Sequence, residues 1–317
     1  MITRWARACA FVLGNGFILF VFSERMFWSS WRADDDAGTV LGGWLVYSLF
    51  AYAMLAILSL FRVSGLWALL AAGAAYGWLL EGIYAMTLFG DPSMPFPFTI
   101  AWTALAWHAP LAVVLGWYGL RRALQAPRVW PGLAASSGLG LFWGVWALGW
   151  AAETPPVTAT LPEFASHAAA AAAGLTASQM ALGAGAGWVP SRAGPALAAA
   201  CLAAFFGAVT VPALPLAPAM LLPLLALAAL ALWRHRMQAH SPAVLVQMAQ
   251  PVARRNLLGL AAFPLAATAV YEAGRGLGPL PIHQVLSVVT MAGGTALFIA
   301  ALVRLLPGGP RAVAARP

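Results

Sequence analysis

Charged side chains in this chain are confined to short breaks between long apolar segments, and this pattern constrains the fold more than any motif. Charged residues make up 8% of the sequence and hydrophobic residues 62%, whereas a soluble domain has about 25% charged residues. A helix needs roughly 20 apolar residues to cross the hydrocarbon core of a bilayer. The sequence therefore predicts an all-α, polytopic transmembrane helical bundle.

About ten apolar segments are long enough to be spans, and they leave little chain for extramembrane structure. The segments are 7–28, 38–61, 66–88, 97–119, 130–152, 163–187, 195–211, 216–233, 256–273 and 284–305. We therefore expect one integral membrane domain over residues 1–317. Its first half, 1–152, is rich in tryptophan, and its second half, 163–305, is rich in Ala, Leu and Pro.

The basic residues predict the orientation of the bundle. All 17 are arginine, and 14 of them lie at the termini or in alternate loops, while the opposite loops hold only Arg25, Arg32 and Arg275. By the positive-inside rule, both termini are cytoplasmic, as in a multi-pass protein of a bacterial-type inner membrane. Because the arginines alternate between loops, the net charge of +8 does not indicate nucleic-acid binding. The predicted partner is the lipid bilayer.

No sequence motif identifies a cofactor. Cys9 and Cys201 both lie inside predicted spans, so they predict neither a disulfide nor a redox centre. The chain has no CxxC, HExxH, P-loop or GxGxxG pattern. On the predicted outer side, Asp34, Asp35 and Asp36 form an acidic turn that we expect to cap the second span.

Glu81 and His108 are the candidate catalytic or coupling pair, because ionisable groups inside a bilayer are costly and often functional. A rise of 1.5 Å per residue places Glu81 about 10 Å and His108 about 16 Å below the outer surface. A short Pro-rich turn joins their spans, so we expect antiparallel neighbours and a Glu–His contact. Pro110 lacks an N–H group, which frees the Ala106 carbonyl and favours a kink.

Five further residues are candidates for substrate binding near this pair. Glu24 lies near the outer end of the first span, with Asn15 deeper in the same span. Trp78 and Tyr84 lie three residues before and after Glu81, on roughly its face of the helix, and Trp107 precedes His108. Packing is the alternative for the aromatic residues, and an ion pair with Arg25 is the alternative for Glu24.

A weaker set of candidate metal ligands lies in the second half of the chain. Glu163 and His167 are spaced i, i+4 and would share a helix face, and His283 lies near the same predicted surface. Two ligands without a third are a weak zinc signal. Alternatively, Glu163 begins a helix, where an acid suits the helix dipole.

Three functions are compatible with these features. The first is a permease-like transporter of a small apolar or amphipathic solute, with a Glu81–His108 site in the outer half of the membrane. The second is an intramembrane enzyme that acts on a lipid or lipid-linked substrate, with Glu81 as general acid or base. The third is a non-catalytic membrane assembly subunit. Without a catalytic motif, enzymatic activity stays open.

Overall fold

The structure is a computed structural model that describes residues 2–27, 36–91, 94–185, 187–237 and 243–306. Within these ranges every regular element is helical, and no β-strand occurs. Asp34, Asp35 and Arg32 lie outside the described residues, as do the two arginines of the C-terminal tail. The chain is thus an all-helical protein, as the sequence predicts.

Ten long helices account for most of the described chain. They are α1 (Arg4–Arg25), α2 (Ala37–Leu60), α3 (Gly65–Ile83), α4 (Phe98–Leu124), α5 (Trp130–Ala152), α6 (Leu161–Leu182), α7 (Gly194–Ala213), α8 (Ala217–Arg236), α9 (Arg254–Leu277) and α10 (Ile282–Leu305). Shorter helical pieces lie between them, including Val244–Met248 before α9.

Nine of these helices within the described ranges are long and apolar enough to cross a membrane, which makes the chain a multi-pass membrane protein. The exception is α6, which corresponds to the predicted span 163–187. It has 22 residues, a sufficient length, but it carries Glu163, His167, Ser178 and Gln179. These polar side chains lower its mean hydropathy below that of the other nine.

Local sequence signals explain where several helices begin. Proline occupies the first turn of α5, α6, α7 and α8, where its missing N–H is not needed. The carboxylate of Asp36 accepts the Thr39 N–H at 2.7 Å, which confirms the predicted cap of α2. This hydrogen bond also holds the pKa of the Asp36 carboxyl below its usual range.

The helices form two compact units. Unit 1 comprises Met1–Tyr52, Leu111–Val189 and Val246–Val289. In it, α9 packs against α5 and α6, and α1 packs against α6. Glycine permits these close approaches: a Cβ on Gly140 would lie 2.2 Å from the Phe263 carbonyl oxygen.

Unit 2 comprises Ala53–Pro110, Pro190–Leu245 and Thr290–Pro317. Its central helix is α3, which packs against α8. In the apolar stretch of α3, 83% of the residues are buried, compared with 17% in that of α7. Protein therefore encloses α3, while α7 is peripheral. Glu81, at the end of α3, therefore lies in a protein environment.

Four of the helices contain π-helical turns, in which the backbone N–H bonds to the carbonyl five residues earlier. These turns are Val21–Arg25 in α1, Leu80–Tyr84 at the end of α3, Ala104–Gly119 in α4 and Phe206–Thr210 in α7. Such turns are rare and frequently occur at functional sites. Glu24, Glu81 and His108 all lie on them.

Candidate functional site

The carboxylate of Glu81 is buried and uses both oxygens. Its side chain is 5% exposed. Oε1 lies 2.5 Å from Nε2 of His108, and Oε2 accepts a hydrogen bond from the Thr87 hydroxyl. The two residues that sequence spacing brings together are thus in direct contact, while their chemical role stays a prediction.

His108 is more deeply buried than Glu81, with 1% exposure. Among the described residues, its Nδ1 atom has no hydrogen-bond partner. The Tyr76 ring meets the imidazole edge to face, with centroids 6.0 Å apart. The Nε2–Oε1 contact gives a proton a direct path between the imidazole and the carboxylate.

A close approach of α3 and α4 at Gly77 makes this contact possible. A Cβ on Gly77 would lie 2.8 Å from the Ala104 Cα and 3.0 Å from the His108 Cβ. Small residues allow such approaches between membrane helices. The close approach at Gly77 sets the distance between the acid and the imidazole.

The carbonyl freed by Pro110 is not the one that sequence reasoning predicts. Because α4 is π-helical from Ala104 to Gly119, the missing N–H of Pro110 affects the carbonyl five residues earlier, at Leu105, instead of Ala106. The Leu105 oxygen packs against Gly294 of α10, where an added Cβ would lie 1.8 Å away. A glycine Cα–H group can donate weakly to such an oxygen.

The three aromatic candidates have different surroundings. Trp78 donates its indole N–H to the Ile100 carbonyl at 2.9 Å and packs edge to face on Phe298. Trp107 is buried against Trp102. Tyr84 is 42% exposed, in contrast to the buried Glu81. The π-helical turn Leu80–Tyr84 explains the difference, because it changes the angular spacing of side chains.

Glu24 and Asn15 lie in unit 1, not in the unit that holds Glu81 and His108. Tyr47 donates its hydroxyl to Glu24 at 2.7 Å. Asn15 is fully buried. Its amide donates to the Phe11 carbonyl, and its oxygen accepts the Trp117 indole N–H, both at 2.6 Å. The hydrogen bond from Trp117 links α1 to α4, and a substrate-binding role for Glu24 or Asn15 stays a prediction.

The metal-ligand candidates serve other contacts. Glu163 accepts hydrogen bonds from the backbone N–H and hydroxyl of Thr160, both at 2.7 Å, in the capping box that starts α6. His167 packs edge to face on Trp143. His283 stacks on Trp146 and lies 3.5 Å from Glu153. Over the described ranges, no three His, Cys, Asp or Glu side chains are grouped to hold a metal ion.

Thr87 is a member of the site that sequence reasoning misses. It lies six residues after Glu81, outside helical spacing. Its hydroxyl returns to the carboxylate because Met86 turns the chain with a φ of 59°. A positive φ is uncommon for a non-glycine residue, so no sequence signal indicates this turn.

A cavity of about 260 Å³ lies in unit 1, between the ends of α5 and α9 and the segment 157–160. Its lining includes Tyr271, whose hydroxyl accepts the Ala159 N–H at 3.1 Å and donates to the Ala159 carbonyl at 2.9 Å. Arg275, also in the lining, forms an ion pair with Glu272. The polar groups at this cavity are therefore engaged in local structure.

Comparisons with protein-family models, curated proteins and solved structures find no match to this chain. The functional argument therefore rests on the geometry of the Glu81–His108 pair. That geometry combines burial, a short acid–imidazole contact and a second ring nitrogen without a described partner.

Proposed function

We propose that this protein is a permease-like transporter of a small apolar or amphipathic solute, with Glu81 as its proton site. The observation that carries the proposal is the buried contact between Glu81 and His108. Hydrogen bonds between membrane helices average only about 0.6 kcal/mol, so helix adhesion is a weak reason to bury two ionisable groups. Proton relays in pumps and transporters use such groups.

His108 has a distinct role in this proposal. Its Nε2 contacts the carboxylate directly, so the imidazole can pass a proton to or from Glu81. Protonation of the pair would favour release of a cationic solute, and deprotonation would favour its binding. Thr87 holds the second carboxylate oxygen and so orients the pair.

The proposed topology has ten spans, with α6 as the sixth and both termini in the cytoplasm of a bacterial-type cell. The distribution of arginine supports this arrangement, because 14 of 17 then lie in cytoplasmic segments or, like Arg121, near the cytoplasmic end of a helix. The Glu81–His108 pair then lies in the outer half of the inner membrane. Spans rich in Ala, Leu and Pro offer few polar groups, which suits an apolar or amphipathic solute.

An intramembrane enzyme is the second candidate, and the same contact favours it. A carboxylate 2.5 Å from an imidazole has the geometry of a general acid–base pair. Lipid analysis of a deletion strain separates the candidates, because loss of an enzyme changes lipid or lipid-linked species. Loss of a permease changes solute distribution instead.

Ethidium transport tests the proposal, because this small amphipathic cation is a direct probe. Purified protein is reconstituted in proteoliposomes, and ethidium movement is followed by fluorescence after a pH gradient is imposed. We expect transport that depends on the gradient and that Glu81→Gln abolishes. The matched control is Glu272→Gln, which removes an exposed acid paired with Arg275 and should leave transport intact. Transport unchanged by Glu81→Gln contradicts the assigned proton site.

A further inference from the structure

Ser64 lies at the start of α3, but its hydroxyl does not serve that helix. A serine at this position normally accepts the N–H of the second or third helical residue. Here no side-chain cap bond forms. Instead, the Ser64 Oγ lies 3.1 Å from Nε2 of His235, on the last turn of α8.

The protonation of His235 follows from a second contact. The backbone N–H of Ser64 donates to the same Nε2 atom, also at 3.1 Å. A ring nitrogen that accepts an N–H group is unprotonated, so the Ser64 hydroxyl can contact it only as a donor that shares the single lone pair with this N–H. A serine hydroxyl that donates to a neutral imidazole is the arrangement of a nucleophile with its general base.

The backbone around Ser64 is held in an unusual conformation. Arg62 has a φ of 48° and Gly65 a φ of 75°, and the Val63 carbonyl accepts the Val244 N–H at 2.8 Å. Glycine adopts a positive φ freely, whereas Arg62 is in a conformation that is uncommon for a non-glycine residue. Val244 holds the loop at Val63, and His235 holds it at Ser64. These contacts preorganise the Ser64–His235 pair.

Hydrogen-bond donors that can stabilise a negative charge follow Ser64 in the chain. The first N–H groups of a helix have no intrahelical partner, and those of α3 follow Ser64 directly. Donors placed where an oxyanion develops are a large contribution to acyl-transfer catalysis. Ser64 itself is buried, at 6% exposure, while Gly65 beside it is exposed and has nothing within 4 Å of the position that a Cβ would occupy.

The surroundings indicate an anionic amphiphile. Arg62, Arg234 and Arg236 are exposed beside the pair, and Arg304 lies over the Trp67 ring on the first turn of α3. Leu60 and Leu66 are 59% and 55% exposed on the flanking helices. Basic groups attract anionic lipid headgroups, while exposed leucines face acyl chains.

We propose that Ser64 and His235 form an acyl-ester hydrolase site for anionic phospholipids or lysophospholipids, separate from Glu81 and His108. In the first step, Oγ attacks the ester carbonyl carbon as its proton moves to Nε2. The ester C–O bond breaks, and the leaving alcohol takes that proton. Water then attacks acyl-Ser64, His235 accepts its proton, and the fatty acid leaves as Ser64 is reprotonated.

Covalent labelling tests the nucleophile without a known substrate. The full-length protein in detergent is treated with a fluorophosphonate, and the modified peptide is identified by mass spectrometry. We expect the adduct on Ser64, no adduct in Ser64→Ala and labelling at least about 100-fold slower in His235→Gln, since general-base catalysis contributes about 10²–10⁴-fold. Ser59→Ala, a change at a neighbouring serine, should label normally.

Hydrolysis tests the substrate class. Fatty-acid release is measured from lysophosphatidylglycerol and from lysophosphatidylcholine in mixed micelles, with gel filtration to confirm that each variant is folded. We expect faster release from the anionic lipid and loss of release in Ser64→Ala. A folded wild-type protein that neither labels at Ser64 nor releases fatty acid overturns the proposal. Labelling that persists in Ser64→Ala overturns it too. Neither result bears on transport through Glu81.

Discussion

Glu81 is the residue on which the proposed transport function depends, because its two oxygens are committed to different partners. One contacts His108 and the other accepts from Thr87. Loss of either partner leaves a buried carboxylate oxygen of Glu81 without a hydrogen-bond donor. The cost of an unsatisfied buried group is about 1–3 kcal/mol and larger for a charged group, which exceeds the average hydrogen bond between membrane helices.

We therefore expect His108→Ala to lower the free energy of unfolding by about 1–3 kcal/mol. Glu81→Gln should cost less, because its amide keeps an acceptor for Thr87 and a donor for Nε2. The free energy of unfolding is measured by reversible denaturation in mixed micelles. The double variant, with both His108→Ala and Glu81→Gln, completes a thermodynamic cycle. Contacting residues couple by about 0.5–3 kcal/mol. Strictly additive effects would show that the two side chains do not interact.

At the scale of helices, α3 and α4 are held together by the absence of a side chain at Gly77. The added methyl of Gly77→Ala would meet the backbone of Ala104, which cannot rotate aside. Overpacking typically costs about 1–3 kcal/mol. The substitution also separates Glu81 from His108, because Glu81 lies on α3 and His108 on α4, and the added methyl pushes these two helices apart.

Gly77→Ala should accordingly lower the thermal unfolding midpoint and reduce ethidium transport together. Gly138→Ala is the control, because nothing lies within 4 Å of a Cβ at Gly138. Alanine is favoured over glycine in a helix by about 1 kcal/mol, so the control should be neutral or stabilising. Equal midpoints for the two variants would contradict close packing at Gly77.

The acid–imidazole contact could be predicted from sequence, but the details of its helices could not. Apolar length and a Pro-rich turn are sufficient to place Glu81 and His108 at similar depths. Hydropathy does not record whether an N–H bonds four or five residues back. For this reason the carbonyl affected by Pro110 was predicted incorrectly.

At the scale of the whole chain, the number of spans depends on α6. It is long enough to cross a bilayer but more polar than the nine other long helices that the structure describes. If α6 crosses, the segments before and after it lie on opposite sides of the membrane. Thr158 and Ser191 are exposed in those segments and provide positions for labelling.

We expect Thr158→Cys to react with a membrane-impermeant maleimide in intact cells. Ser191→Cys should react only after permeabilisation. Both variants are made in a background with Cys9→Ser and Cys201→Ser, which removes the native thiols. Labelling of both positions from the same side would show that α6 does not cross.

Contacts between distant parts of the chain were beyond prediction from sequence. Ser64 and His235 are 171 residues apart, and no local pattern relates them. Arg121 was counted among the cytoplasmic loop charges because it follows a predicted span. It is in fact fully buried in α4, because a segment more than a hundred residues later folds against it.

The guanidinium of Arg121 is enclosed by uncharged oxygens. It donates to the carbonyls of Gln179, Met248 and Gln250 and to the Gln179 side chain, at 2.7–3.1 Å. No carboxylate in the described part of the chain contacts it. Arginine is effectively never deprotonated in proteins. Peptide dipoles therefore compensate this cation without cancelling it, and the protein interior keeps a positive electrostatic bias at this point.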